Sequence, residues 1–171
     1  MHNENNWSTR RRLLPPRALG ISLLAQIPLV AVQWPIHVGP VTLIAGLGLF
    51  LSGALLNVWS DSLFQKNNVG VCPFSQTPVL VASGPYRWTR NPMYLGLVLI
   101  SASPAVLFGV SWNLAAAALL LLWLHFRFVL PEEMYLREQF GAAYLAYASA
   151  NPRWIGLPGP KIDHRGEIRT A

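Results

Sequence analysis

The chain reads as an all-α membrane protein. About four transmembrane helices are expected, with a helix 3–4 hairpin and a C-terminal amphipathic cytoplasmic helix. Three observations predict this. Hydrophobic residues make up 53% of the 171 residues and charged ones only 12%, about half the charge of an ordinary soluble domain. The missing charge is concentrated, for residues 18–34, 41–59 and 93–124 contain no charged side chain. All thirteen lysines and arginines fall on alternate connections between these runs, the pattern of a chain that crosses a bilayer repeatedly.

Residues 1–17 are polar and basic, and a disordered arm is expected there. Within it "TRRRLL" resembles a twin-arginine export signal, but no A-x-A-like cleavage site follows. A crossing needs ~20 apolar residues. The first helix, 18–34, is slightly short of that, and the second, 41–61, meets it. The run 93–124 is too long for one crossing. It divides at "FGVSWN", where Gly109, Ser111 and Asn113 signal a tight turn, into helices 93–109 and 112–130. Pro131 interrupts the pattern, and an amphipathic helix is expected over 132–149. At 3.6 residues per turn it lines up Glu133, Leu136, Phe140, Tyr144 and Tyr147 on one stripe. Too poor in apolar residues to span, it belongs on the cytoplasmic surface or under the bundle. Residues 18–155 form one membrane domain, and 156–171, rich in Pro, Gly and charge, form a flexible tail.

The basic residues set the orientation. Arg10, Arg11, Arg12 and Arg17 precede the first helix; Lys66, Arg87 and Arg90 lie between the second and third; six more run from Arg127 to Arg169. "PIHVGP" and the turn near Ser111 carry none. Both termini are therefore expected in the cytoplasm, and the short, arginine-led chain points to a prokaryotic inner membrane. The net charge of +6 is a topology signal. No nucleic-acid partner is expected, because no basic patch alternates with exposed aromatics. The single cysteine, Cys72, excludes an internal disulfide and a cysteine-built metal site, and no metal is expected. Nothing in the sequence specifies an oligomeric state.

The polar chemistry collects where the third helix begins, in "SGPYRWTRNPMYLG" (83–96). The hairpin returns Arg127 and the pair Glu132–Glu133 to the same mouth. Ionisable groups at that depth are expensive and mark sites. Arginines hold a carboxylate through paired hydrogen bonds, and a glutamate holds an ammonium. Tyr86, Trp88 or Tyr94 offers a sulfonium the face of a ring, so the set suits a zwitterionic or cationic cofactor. Pro92 fits the first helical turn with Asn91 as its N-cap, leaving free N–H groups that favour a carboxylate. Gly96 removes a side chain where a ligand or a neighbouring helix approaches.

Each residue also has a plainer role. Arg87 and Arg90 suit positive-inside anchors, Tyr86, Trp88 and Tyr94 an interfacial aromatic belt, and Gly96 helix packing. Glu132 suits a first-turn acid favoured by the helix dipole, and Arg127 a snorkelling cation. Asn57 and Asp61 share a face at the end of the second helix; Asp61 reads as an end charge, His125 as a packing residue, and His37 lies on the opposite side.

The spaced residues Gly84-Pro85-Tyr86, Arg90-Asn91-Pro92, Tyr94 and Gly96, followed by Glu132-Glu133, Leu136, Phe140-Gly141, Tyr144 and Tyr147, resemble the isoprenylcysteine carboxyl methyltransferase family and its bacterial relatives. That family is similar in turn to the phospholipid N-methyltransferases. The likeness covers residues 70–155, about half the chain. It implies an integral membrane enzyme that uses S-adenosylmethionine to methylate a lipid or lipid-like acceptor entering from the membrane, at a carboxylate, thiol or amine. It also implies that Tyr86, Arg90, Asn91, Pro92, Tyr94, Gly96, Glu132 and Glu133 bind the cofactor; Arg87, from the same stretch, is a further cofactor candidate, and Arg127 and Glu133 are the candidates to serve the reaction. One residue departs from the pattern. Asn91 stands where the family has histidine; it keeps the cap and hydrogen-bonds, but it does not titrate. Two other readings remain. One is an NADPH-dependent membrane reductase of the sterol reductase type, against which the acidic pair argues. The other is a catalytically inactive membrane subunit, which Asn91 keeps open.

Overall fold

The computed structural model describes residues 15–32, 38–66, 80–109, 112–157, 161–162 and 168–169. Most of the N-terminal arm, His37, Cys72, Ser111 and most of the tail lie outside these described residues. The helices are α1 (Pro15–Val32), α2 (Pro40–Lys66), α3 (Pro92–Phe108), α4 (Trp112–Leu124), α5 (Leu130–Phe140) and α6 (Ala142–Ala150). A 3-10 turn, Gly84–Arg87, leads into α3, and a π-helical segment, His125–Val129, joins α4 to α5. Lys161–Ile162 and Ile168–Arg169, in the expected tail, pair as a short antiparallel ladder. The protein is thus all-α in its membrane body. Pro15–Val32, Pro40–Leu63 and Trp112–Phe140 are long and apolar enough to cross a membrane, and Pro92–Phe108 is a shorter apolar helix.

Pro131 does not end the fourth helix. Inside an α-helix its ring would clash with the carbonyl four residues back and withhold a hydrogen bond. The chain avoids this by widening one turn just before it: Leu130 N–H donates to His125 O, a five-residue step. Pro131 then falls in the first turn of α5, where no N–H is required. The break comes at Gly141 instead, with φ 49° and ψ −121°, a backbone region that only glycine enters cheaply. Turning there, the chain lays α6 back so that the stripe faces protein. Tyr144 and Tyr147 are buried against Leu80, Ala82 and Tyr86, with Leu136 and Phe140 alongside.

Helices α2 and α3 pack closely and antiparallel through small residues. A Cβ on Gly46 would stand 2.7 Å from Leu107 Cβ, and one on Gly53 2.6 Å from Gly96 O. Gly109, left-handed at φ 66°, caps α3 and starts the turn into α4. Helix α1 lies on α3 and α4, where Ala18 packs with Leu97, Leu120 and Leu124.

Candidate cofactor and active site

The site begins at the turn that delivers α3. Pro85 O accepts N–H bonds from Trp88 (3.0 Å) and Thr89 (3.2 Å), so the chain doubles back tightly under the bundle. Tyr86 is buried there, and its carbonyl accepts the Tyr147 hydroxyl at 2.8 Å. Burial raises the Tyr86, Tyr144 and Tyr147 hydroxyls above the ordinary tyrosine range.

Residues 151–154 then close over this turn. Arg90 N–H donates to Pro152 O at 2.9 Å. The Arg153 carbonyl accepts from Thr89 Oγ1 at 3.1 Å and from Asn91 Nδ2 at 3.0 Å. Asn91 occupies the N-cap position of α3, but its side chain makes no cap bond; its amide is spent on the strap. Pro92 follows in the first turn, as expected.

The charges meet just behind. Glu133 receives Arg153 through a fork, Nε to Oε1 at 2.9 Å and Nη2 to Oε2 at 2.8 Å. Arg90 Nη2 stands 3.4 Å from the same Oε1. The bond to Glu133 holds the Arg153 guanidinium above its usual range. One residue earlier, Glu132 accepts the Tyr94 hydroxyl at 2.9 Å. Among the described residues Glu132 forms no ion pair. Arg90 Nε and the Tyr144 hydroxyl are buried without a hydrogen-bond partner. Tyr144 feels the charges of Glu133, Arg90 and Glu132, and its hydroxyl lies near enough to Arg90 to interact with it, although no bond of good geometry joins the two.

The structure therefore brings Tyr86, Arg90, Asn91, Pro92, Tyr94, Glu132 and Glu133 to one mouth. Arg87 ends the 3-10 turn there, half-buried. Gly96 is turned elsewhere: a side chain on it would overlap the Asn57 amide and meet Gly53 O at 2.7 Å, so the close approach it permits is that of α2. Asn57 donates to Gly53 O in its own helix, and Asp61 accepts from Gln65. Arg127 lies in the π segment with its guanidinium 5.9 Å from the Phe128 ring centroid, and no ion pair joins it to Glu133. His125 packs against Phe126 and, at 6.1 Å, Trp154.

Arg153 and Thr89 are the residues that sequence reasoning missed. The only hint was an arginine between proline and tryptophan in "NPRW", outside any spaced motif. On the far side of the strap lies an apolar cleft of about 330 Å³, walled by Leu56, Trp59, Trp88, Leu95, Leu99 and Trp154. Trp59 and Trp88 are exposed, so the cleft opens at the surface of the protein.

Among known proteins, the model of the phospholipid methyltransferase family matches residues 41–143, more than half of the chain. The matched stretch runs from α2 into α6; α1 and the strap at 151–154 lie outside it. No curated protein and no solved structure matches the chain.

Proposed function

The chain belongs to the phospholipid methyltransferase family, and from that premise we propose that it transfers a methyl group from S-adenosylmethionine to a hydrophobic or lipid-linked acceptor at the cytoplasmic face. The observation that carries this reading is the Tyr94–Glu132 bond. It draws the two motifs together and holds a carboxylate that forms no ion pair among the described residues, at the same mouth as Arg90 with its unpartnered Nε.

The donor set fits the amino-acid end of the cofactor. Glu132 suits an ammonium, while Arg90 Nε and the Tyr144 hydroxyl are free to donate to a carboxylate. Glu133, the other acid of the pair, is already neutralised by two arginines, so the ammonium falls to Glu132. When bound, the cofactor supplies an electrophilic methyl group on a sulfonium, and the leaving thioether needs no acid. The protein's own contribution is then orientation and exclusion of water. Tyr94, held by Glu132, presents its ring at the mouth. The strap, tied through Thr89, Asn91 and Glu133, closes one side. The apolar cleft behind Trp154 suits the acyl or alkyl part of an acceptor. An amine acceptor must shed a proton before it attacks, and that proton needs an acceptor other than Glu132, which the cofactor's ammonium occupies. A carboxylate acceptor, as the isoprenylcysteine-type motifs imply, would need no base. The basic residues on one side of the helices support a mouth facing the cytoplasm of a prokaryotic cell.

Calorimetry of S-adenosylmethionine binding to the purified protein in detergent tests the reading. Saturable binding is expected, displaced by S-adenosylhomocysteine and weakened about tenfold or more in Glu132→Gln, the loss of a charged hydrogen bond. Unchanged affinity in that variant removes Glu132 from the cofactor site. Absence of binding by folded wild type overturns the methyl-transfer reading itself.

A further inference from the structure

Away from the motif residues, four polar side chains are buried where α1, α3 and α4 meet: Ser22 and Gln26, Ser101, and Asn113. Ser22 Oγ and Ser101 Oγ share a hydrogen bond of 2.8 Å, and Ser22 Oγ also donates to Ala116 O at 3.3 Å. Gln26 Nε2 faces two backbone carbonyls, Ser22 O at 3.2 Å and Ser101 O at 3.1 Å. Carbonyls only accept, so the amide nitrogen must lie on that side and Oε1 on the other. Oε1 is buried with no partner, and so are both polar atoms of the Asn113 side chain. Gln26 is 2% exposed and Asn113 0%.

The helix register sets these orphans at one depth. Ala18 packs with Leu120 and Leu124, and Ser22, one turn on, reaches Ala116. The two helices run antiparallel. The next turn of α1, at Gln26, therefore stands opposite the first turn of α4, which carries Asn113. The two side chains together offer two acceptors and a donor, all shielded from solvent. Water matches that set: it donates to Gln26 Oε1 and Asn113 Oδ1 and accepts from Asn113 Nδ2. Holding one water costs less than leaving three buried polar atoms unpaired. A cation suits the place poorly, because amide donors face it and no carboxylate shares the cluster.

We propose that a buried water molecule bridges Gln26 and Asn113 and joins α1 to the α3–α4 hairpin. Helix α1 lies outside the family-matched residues 41–143, so this joint fastens an element that the family match does not include. Its docking packs Ala18 and Leu19 behind Tyr94 and Phe128, which links the joint to the placement of the site. The proposal does not depend on the methyl-transfer reading.

A crystal structure of the full chain in a lipid phase, at a resolution that shows ordered waters, is the direct test. A peak within hydrogen-bond reach of Gln26 Oε1 and Asn113, absent in Asn113→Leu, is the expected result. No peak beside well-ordered side chains overturns the proposal, and so does a peak surrounded only by oxygen acceptors at cation distances. Melting in detergent gives an independent readout. Gln26→Leu and Asn113→Leu should each lower the melting temperature by several degrees, and the double variant should lie little below the lower single, because both lose the same bridge. Additive losses, or a rise in Asn113→Leu, mean a dry joint and overturn the proposal. If a variant fails to fold, the wild-type density decides alone.

Discussion

Glu133 carries one negative charge between two guanidinium groups, and it is only 12% exposed, as Arg90 is 13%. Removing that charge leaves a largely buried cation in the turn before α3 and unfastens the strap, so Glu133→Gln should cost stability before it costs chemistry. Breaking a fully buried pair costs about 3–5 kcal/mol, but Arg153 is substantially exposed and its share is screened. A loss of about 2 kcal/mol is expected for Glu133→Gln. Arg153→Lys keeps the charge and loses the two-pronged geometry, and should cost about 1 kcal/mol. Unfolding by denaturant titration in mild detergent, with helix content as the signal, measures both. The reverse order would mean that the fork, rather than the shared charge, holds the strap. Asn91 belongs to the same clasp. Its amide supplies one of the two hydrogen bonds to Arg153 O, and a side chain donating to a fixed carbonyl has no need to titrate. Asparagine, where the isoprenylcysteine-type pattern has histidine, therefore serves as a donor to the strap.

The helical elements were legible because the bilayer leaves little choice: only helices and closed barrels satisfy the backbone there, and an uncharged run of about 20 residues is the length of a helix, not of a barrel strand. The junction at Pro131 was not legible. Proline reads as a stop, and whether the preceding turn widens to accommodate it depends on packing that no local pattern encodes. The site was half legible. Tyr94, Glu132 and Glu133 sit in spaced motifs on neighbouring helices, whereas Arg153 arrives from 62 residues beyond Asn91, by a fold of the chain. The amphipathic stripe was legible as a face turned toward protein, though not which residues it meets. Its tyrosines lie against the turn before α3, with Tyr147 bonded to Tyr86 O, and this packing has a consequence at high pH. Burial raises all three of Tyr86, Tyr144 and Tyr147 above the ordinary value of 10.0. Below that value the native and unfolded chains hold these protons equally and stability is unaffected. Above it the unfolded chain releases them first, so the native state binds more protons and stability falls as pH rises. Melting temperature should therefore decline above pH 10, and phenolate absorbance from these residues should appear together with loss of helix. Full tyrosine ionisation with helix content intact would show that α6 does not shield them.

At the scale of the whole molecule, the charge asymmetry and the site make one argument. A charged, water-soluble cofactor reaches the mouth only from the compartment that holds it, so the proposed chemistry requires the motif side of the bundle to face the cytoplasm. The basic residues favour the same side, independently of any motif. Cys72, the chain's one cysteine, lies in sequence between α2 and the turn at Gly84, on the side assigned to the cytoplasm. In membrane vesicles of known orientation, an impermeant maleimide should label Cys72 in inverted vesicles and leave it unlabelled in right-side-out ones. Val38, exposed just before α2 on the opposite side, provides the control, and Val38→Cys in a Cys72→Ser background should show the opposite pattern. If both labels exchange sides, the mouth faces away from the cytoplasm. Cofactor binding in detergent would then describe a site that the cellular pool does not reach. If only the control fails, the label reports local access at residue 38 and the assignment from Cys72 stands.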